Sequence, residues 1–154
     1  MTHLHDKVDI SVTVYVVYRD KVLLRMHEKY GQWFGPGGHV ELDEDPTQAA
    51  VREVKEEVGL DVELWAGTQR FHTPDGDDNR QLIPPVGLQR HHTSPSHEHV
   101  DLVYFARSES DYVQVSFDGD RSDEWRWLTA EELDTLHLRP DVEFYAQEAL
   151  KELA

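Results

Sequence analysis

The sequence predicts an α/β domain in which a mixed β-sheet is faced by helices. Three observations carry that expectation: period-two apolar segments near the start, a capped amphipathic segment at 46–58, and further extended segments followed by a helical close. A chain of 154 residues suits one domain and can bury roughly 70% of its unfolded surface. No linker, repeat or second domain is visible, so residues 1–154 are read as a single unit.

Ile10, Val12, Val14, Val16 and Tyr18 alternate with Ser11, Thr13, Tyr15 and Val17, and Arg19-Asp20 interrupts before KVLLRMH, which together predict a hairpin. The segment at 46–58 reads as a helix with defined ends. Asp45 is a capping residue, Pro46 fits the first turn, and Gly59 suits the left-handed stop. Thr47, Ala50, Val51, Val54 and Val58 form its expected inward arc, with Glu53, Glu56 and Glu57 converging at the edge. After it come extended segments at 62–73, 82–92, 99–107 and 124–128, with Pro84-Pro85 marking an edge or irregular stretch. A short helix is predicted at 130–136, and Pro140 opens a last one through Leu150.

Three glutamates at i, i+3 and i+4 repel one another, so a partner must favour the arrangement. A hard divalent cation, Mg²⁺ or Mn²⁺, suits carboxylate oxygens and keeps other positions for water and substrate phosphate. Upstream, Gly35-Pro36-Gly37-Gly38 lets the backbone approach a ligand, so that a bare carbonyl can join the metal shell.

From Gly38 to Leu60 the chain reads GHVELDEDPTQAAVREVKEEVGL. Gly38, Glu44, Arg52-Glu53, Val54, Glu56-Glu57, Val58, Gly59 and Leu60 stand at every defining position of the Nudix box, and the chain resembles the Nudix hydrolase family. The resemblance implies an α/β/α sandwich with a mixed sheet over nearly the whole chain. It also implies hydrolysis of a nucleoside diphosphate linked to a group X, with one to three divalent ions and an activated water. Gly38, Glu53, Glu56 and Glu57 look like the metal ligands, with Glu53 or Glu57 as general base. Arg52, read as lying beyond the carboxylate arc, is expected to pair with Glu44 and orient the ligands.

Outside the box, Glu124 resembles an acidic group offered by a closing strand, set against a solvated strand-end glutamate. Arg25 resembles an arginine that contacts substrate phosphate, set against an ordinary surface arginine. Trp33 and Phe34 precede GPGG and can stack on a base or pack in the core, with Trp33 the better stacking candidate. His91, His92, His97 and His99 crowd one segment; a loop near substrate is favoured there over a zinc site, because paired ligand spacing is missing. DGDDN at 75–79 and DGDRSDE at 118–124 lack the glycine a calcium loop needs and read as turns.

The formal charge of −16 disfavours duplex nucleic acid, which needs Lys and Arg to displace counterions, and leaves a small nucleotide as the expected partner. No cysteine is present, which excludes disulfides and thiolate chemistry and argues against the isopentenyl diphosphate isomerase branch. No apolar run approaches a membrane span and no signal peptide is visible, so a cytoplasmic protein without membrane contact is expected; a homodimer is left open. Markers that divide the resembled family by substrate do not appear in this chain, so X is undetermined. A metabolite-sensing Nudix domain without catalysis is the alternative from another class. Intact glutamates argue against it, and scarce Lys and Arg clusters argue against an inositol polyphosphate substrate.

Overall fold

The computed structural model describes residues 7–27, 30–67, 69–115 and 124–154. Its elements run β1 (Val8–Tyr18), β2 (Lys21–His27), β3 (Gln32–Phe34), β4 (Gly37–His39), α1 (Pro46–Val58), β5 (Val62–Leu64), β6 (Gly87–Ser94), β7 (His97–Ser108), β8 (Glu124–Leu128), α2 (Ala130–Asp134) and α3 (Pro140–Leu153).

The first hairpin forms where the alternation placed it, and Arg19 takes a φ of 54° to close the two-residue connection between Tyr18 and Lys21. The sheet runs β3-β2-β1-β7-β5, with β4 on β1, β6 on β7 and β8 on β2. It is mixed because β1 pairs parallel with β7 from Val8↔Glu98 to Val17↔Arg107, whereas its other partners are antiparallel. β1 is buried on both faces, as the central strand of such a sheet must be.

Each face has its own core. Val12, Val14, Val16 and Leu23 pack with Ala49, Ala50, Val54 and Val58 of α1, while Tyr15, Val17, Leu24 and Phe105 pack with α2 and α3. That is an α/β/α layering. Burial of the Tyr15 hydroxyl on the second face raises its pKa well above the ordinary tyrosine range.

Five expectations change in detail. The extended segment at 62–73 keeps strand geometry only through Leu64, and the one at 82–92 begins at Gly87, after the two prolines have passed without ladder donors. The helix expected at 130–136 ends at Asp134, and the closing helix continues to Leu153. The fifth change concerns α1, where Ala49 is buried and Val51 is exposed. At 100° per residue the buried arc is therefore rotated by about 60° toward the glutamates. In the 75–79 turn, Asn79 N–H donates to Asp77 at 2.9 Å beside Gly76 at φ 86°. The other turn reading, at 118–124, lies outside the described residues except for Glu124. Among the described residues no helix is long and apolar enough to cross a membrane.

Candidate functional site

The site grows from the ends of α1. Asp45 accepts from Gln48 N–H while the Gln48 side chain accepts from Asp45 N–H, a reciprocal cap that fixes where the helix begins. Gly59, at φ 73°, sends its N–H to the Lys55 carbonyl and ends it. Between them, the rotated arc brings Glu53 and Glu57 to the sheet with side-chain exposures of 14% and 13%, while Glu56 stays at 59%.

Burial of Glu53 depends on what faces it. Gly38 pairs with Val12 in the β4–β1 ladder, and a Cβ at Gly38 would lie 2.3 Å from Glu53 Oε1. No side chain fits there without moving the carboxylate. Burial raises the Glu53 pKa, against the lowering influence of Arg52.

Arg52 is inside the cluster, which corrects the expectation that it lies beyond the carboxylates. Its Nε donates to Glu44 Oε2 at 2.9 Å, and its Nη2 to Glu44 Oε1 at 2.5 Å and to the His39 carbonyl at 2.9 Å. Its Nη1 donates to Glu53 Oε1 at 3.0 Å and to Glu56 Oε2 at 3.1 Å. A planar guanidinium can serve several acceptors at once because its donors are fixed in a fork. These hydrogen bonds hold the Glu44 carboxyl below the ordinary range and push Arg52 further up. The backbone beside Gly38 and the helix are thereby tied through one side chain.

Arg25 reaches the same region from β2. Its Nη1 lies 3.6 Å from Glu57 Oε2 and its guanidinium sits 5.3 Å from the Trp125 ring centroid. At 15% exposure it is not an ordinary surface arginine.

Two expected members of the site lie elsewhere. Trp33 is 6% exposed in the core on the α3 side, with Arg126 5.5 Å from its ring centroid, so it offers no stacking face. Phe34 packs against the same core but is only half-buried, with His27 and Tyr30 beside its ring. Glu124 pairs opposite Met26, while its neighbour Trp125 pairs opposite Arg25. Strand alternation therefore turns Glu124 away from α1, and its carboxylate takes Arg126 Nε at 2.6 Å. It is not part of the glutamate cluster.

The histidine-rich segment is not a loop. It forms β6 and β7, in which His91 pairs with His99. His99 Nε2 lies 3.0 Å from His39 Nε2, and His97 Nε2 lies 2.9 Å from Asp9 Oδ2. Burial, reinforced by His39, His91 and His97, lowers the His99 pKa to about 4. Asp9 and His39 were not anticipated, because only the parallel β1–β7 register and the β4–β1 ladder bring them to His99.

Carboxylates beside a bare backbone fit a hard divalent ion by donor type. In the present arrangement the Arg52 guanidinium supplies the positive charge between Glu53 and Glu56. Among the described residues, the donors compact enough to hold one ion as they stand are Asp9, His39 and His99.

The NUDIX domain model matches residues 7–152. A crystal structure of a NUDIX family hydrolase from Clostridium perfringens superposes with a TM-score of 0.80 at 32% identity, covering 95% of this chain and 98% of that one. The CTP pyrophosphohydrolase of Escherichia coli K12 is 32% identical over 120 residues, 66% of this chain and 78% of the relative. The RNA pyrophosphohydrolase of Francisella philomiragia is 31% identical over 116 residues, 72% of this chain and 70% of the relative. The chain belongs to the NUDIX family. Within it, this is an enzyme of the pyrophosphohydrolase class, a hydrolase acting on diphosphate linkages.

Proposed function

We propose that this protein hydrolyses the diphosphate linkage of a small nucleoside diphosphate-X substrate in a reaction that depends on Mg²⁺ or Mn²⁺. The observation that carries the reading is the close approach of Glu53 to the bare backbone of Gly38, with Arg52 tying both to Glu44. Glu53, Glu56, Glu57 and the Gly38 carbonyl are the groups that would hold the ion. When bound, it neutralises diphosphate charge and acidifies the attacking water.

The chain's own residues do the rest. Arg52 shares Glu53 and Glu56 with any bound cation, while its bonds to Glu44 and the His39 carbonyl keep helix and strand in register. Arg25 holds Glu57 in place and presents positive charge toward a substrate phosphate. Glu53 or Glu57 accepts the proton of the attacking water, and burial strengthens Glu53 as a base. A strongly acidic surface favours small nucleotides over duplex nucleic acid, and the protein is read as cytoplasmic, without membrane partners, and as a single domain.

The test is a panel of nucleoside triphosphates with CTP first, nucleotide sugars, ADP-ribose, dinucleotides and a 5′-triphosphorylated RNA oligomer. Each is assayed with Mg²⁺ and with Mn²⁺ for released monophosphate, phosphate or pyrophosphate. At least one small nucleotide should turn over with metal and none with chelator. Hydrolysis of no member, or turnover indifferent to chelator, overturns the reading.

A further inference from the structure

On the sheet face opposite α1, Asp9, His39 and His99 come from three strands, β1, β4 and β7. One donor atom from each lies within 4.8 Å of the other two. Asp9 is 4% exposed, an acid withdrawn from water and held beside imidazoles. Burial of a carboxylate is costly unless a cation or strong donors compensate it.

The geometry points to a second metal site, distinct from the glutamate cluster, in which Asp9, His39 and His99 bind one borderline divalent ion of the Zn²⁺ class. Two imidazoles and a carboxylate favour Zn²⁺, Co²⁺, Ni²⁺ or Fe²⁺ over Mg²⁺, whereas an all-oxygen set does the reverse. The spacing suits such an ion. Nitrogens bound at about 2.0–2.1 Å in a tetrahedral shell stand about 3.3 Å apart. His39 Nε2 and His99 Nε2 are 3.0 Å apart and His39 Nε2 is 3.8 Å from Asp9 Oδ2, each within a few tenths of an ångström of that spacing, and all three donors lie within 4.8 Å of one another. His97 Nε2 lies 2.9 Å from the same Asp9 Oδ2 and holds that oxygen in place. With three protein donors the ion keeps an open position for water or a ligand.

Alternation along β4 separates the two sites. Gly38 faces Glu53, and its neighbour His39 turns to the other side, where Ser11, its partner across the ladder, bonds to Asp101. The second site therefore forms without any box glutamate.

The test titrates the full chain with Co²⁺ in millimolar Mg²⁺ and follows visible d–d bands, then displaces Co²⁺ with Zn²⁺. One equivalent should bind in the wild type, in the Glu53→Gln, Glu56→Gln double variant and in His72→Gln, a control at a histidine outside the cluster. Asp9→Asn and His99→Gln should each weaken it by about tenfold or more. Absence of a stoichiometric spectrum in folded wild type, unchanged affinity in both cluster variants, or loss in the glutamate double variant overturns the proposal. X-ray absorption at the zinc edge of the loaded wild type gives a reading independent of any variant's folding. Imidazole scattering with nitrogens at about 2.0 Å supports the site, and an all-oxygen shell overturns it.

Discussion

The two faces of the short strand β4 differ in chemistry and in origin. Toward α1, Gly38 meets a carboxylate cluster drawn largely from Glu44 to Glu57, a contiguous stretch of chain. Toward the other side, His39 meets Asp9 and His99, which arrive from distant strands. One residue of pleat thus divides hard oxygen donors from imidazole nitrogens. The carboxylate side already contains a cation in Arg52, held by directional hydrogen bonds. The imidazole side has its carboxylate in the sheet and its rings packed edge to face.

The largest expected effect breaks the carboxylate side alone. Glu57→Gln keeps the shape and removes the charge facing Arg25, and turnover should fall on the order of 10²–10⁴-fold, the range of a general base. Circular dichroism should stay native. Wild-type turnover in the purified variant would move the essential chemistry away from this helix.

Next in size is Arg52→Gln, which cuts the tie between Glu44, the His39 carbonyl and the two glutamates. About 10–100-fold lower activity is expected, as for loss of a ligand-orienting partner. Loss of charged hydrogen bonds should also cost about 1–2 kcal/mol of stability. Activity and melting temperature both at wild-type values would show that the bridge is incidental.

A third measurement compares metal response. Millimolar Mg²⁺ should raise the melting temperature by mass action, corresponding to about 1.4 kcal/mol at ten times the dissociation constant. In Glu53→Gln, Glu56→Gln the rise should shrink, while Asp9→Asn should keep it. Equal rises in wild type and the glutamate double variant would place the ion elsewhere.

The smallest effect is acid sensitivity. Because Arg52 holds the folded Glu44 carboxyl below its ordinary value, the pair stabilises above about pH 4.3 and loses that contribution as pH falls through the folded value. Melting temperature should therefore decline from about pH 5 downward, and less steeply in Glu44→Gln. The difference is worth about 1 kcal/mol. Parallel pH curves for the two proteins would remove Glu44 from the account.

What the sequence made legible follows the range of each interaction. Asp45, Pro46 and Gly59 act within a turn, so the ends of α1 could be read directly, and the glutamate spacing could be read with them. Rotation of the helix could not, because it depends on Gly38 leaving room for Glu53 across the β4–β1 ladder. For Trp33 and Glu124 the choice between two readings was closed to the sequence for a related reason. Their facing depends on the β2–β3 and β2–β8 registers, which no local pattern encodes. The Asp9–His39–His99 cluster needed two ladders at once, and spacing within the histidine-rich segment carried no trace of Asp9 or His39.

The parallel ladder between β1 and β7 also sets an order of assembly. Ser11 and Asp101, which bond across it, are 90 residues apart, whereas Gly38 and Glu53 are 15 apart. Closing the longer loop costs about 1.5 kcal/mol more entropy, and such non-local pairings slow folding. During synthesis the acidic helix and its glycine strand are finished before β7 exists. The carboxylates can therefore gather around Arg52 on a nascent chain, while the imidazole cluster forms only once the β1–β7 pairing has closed.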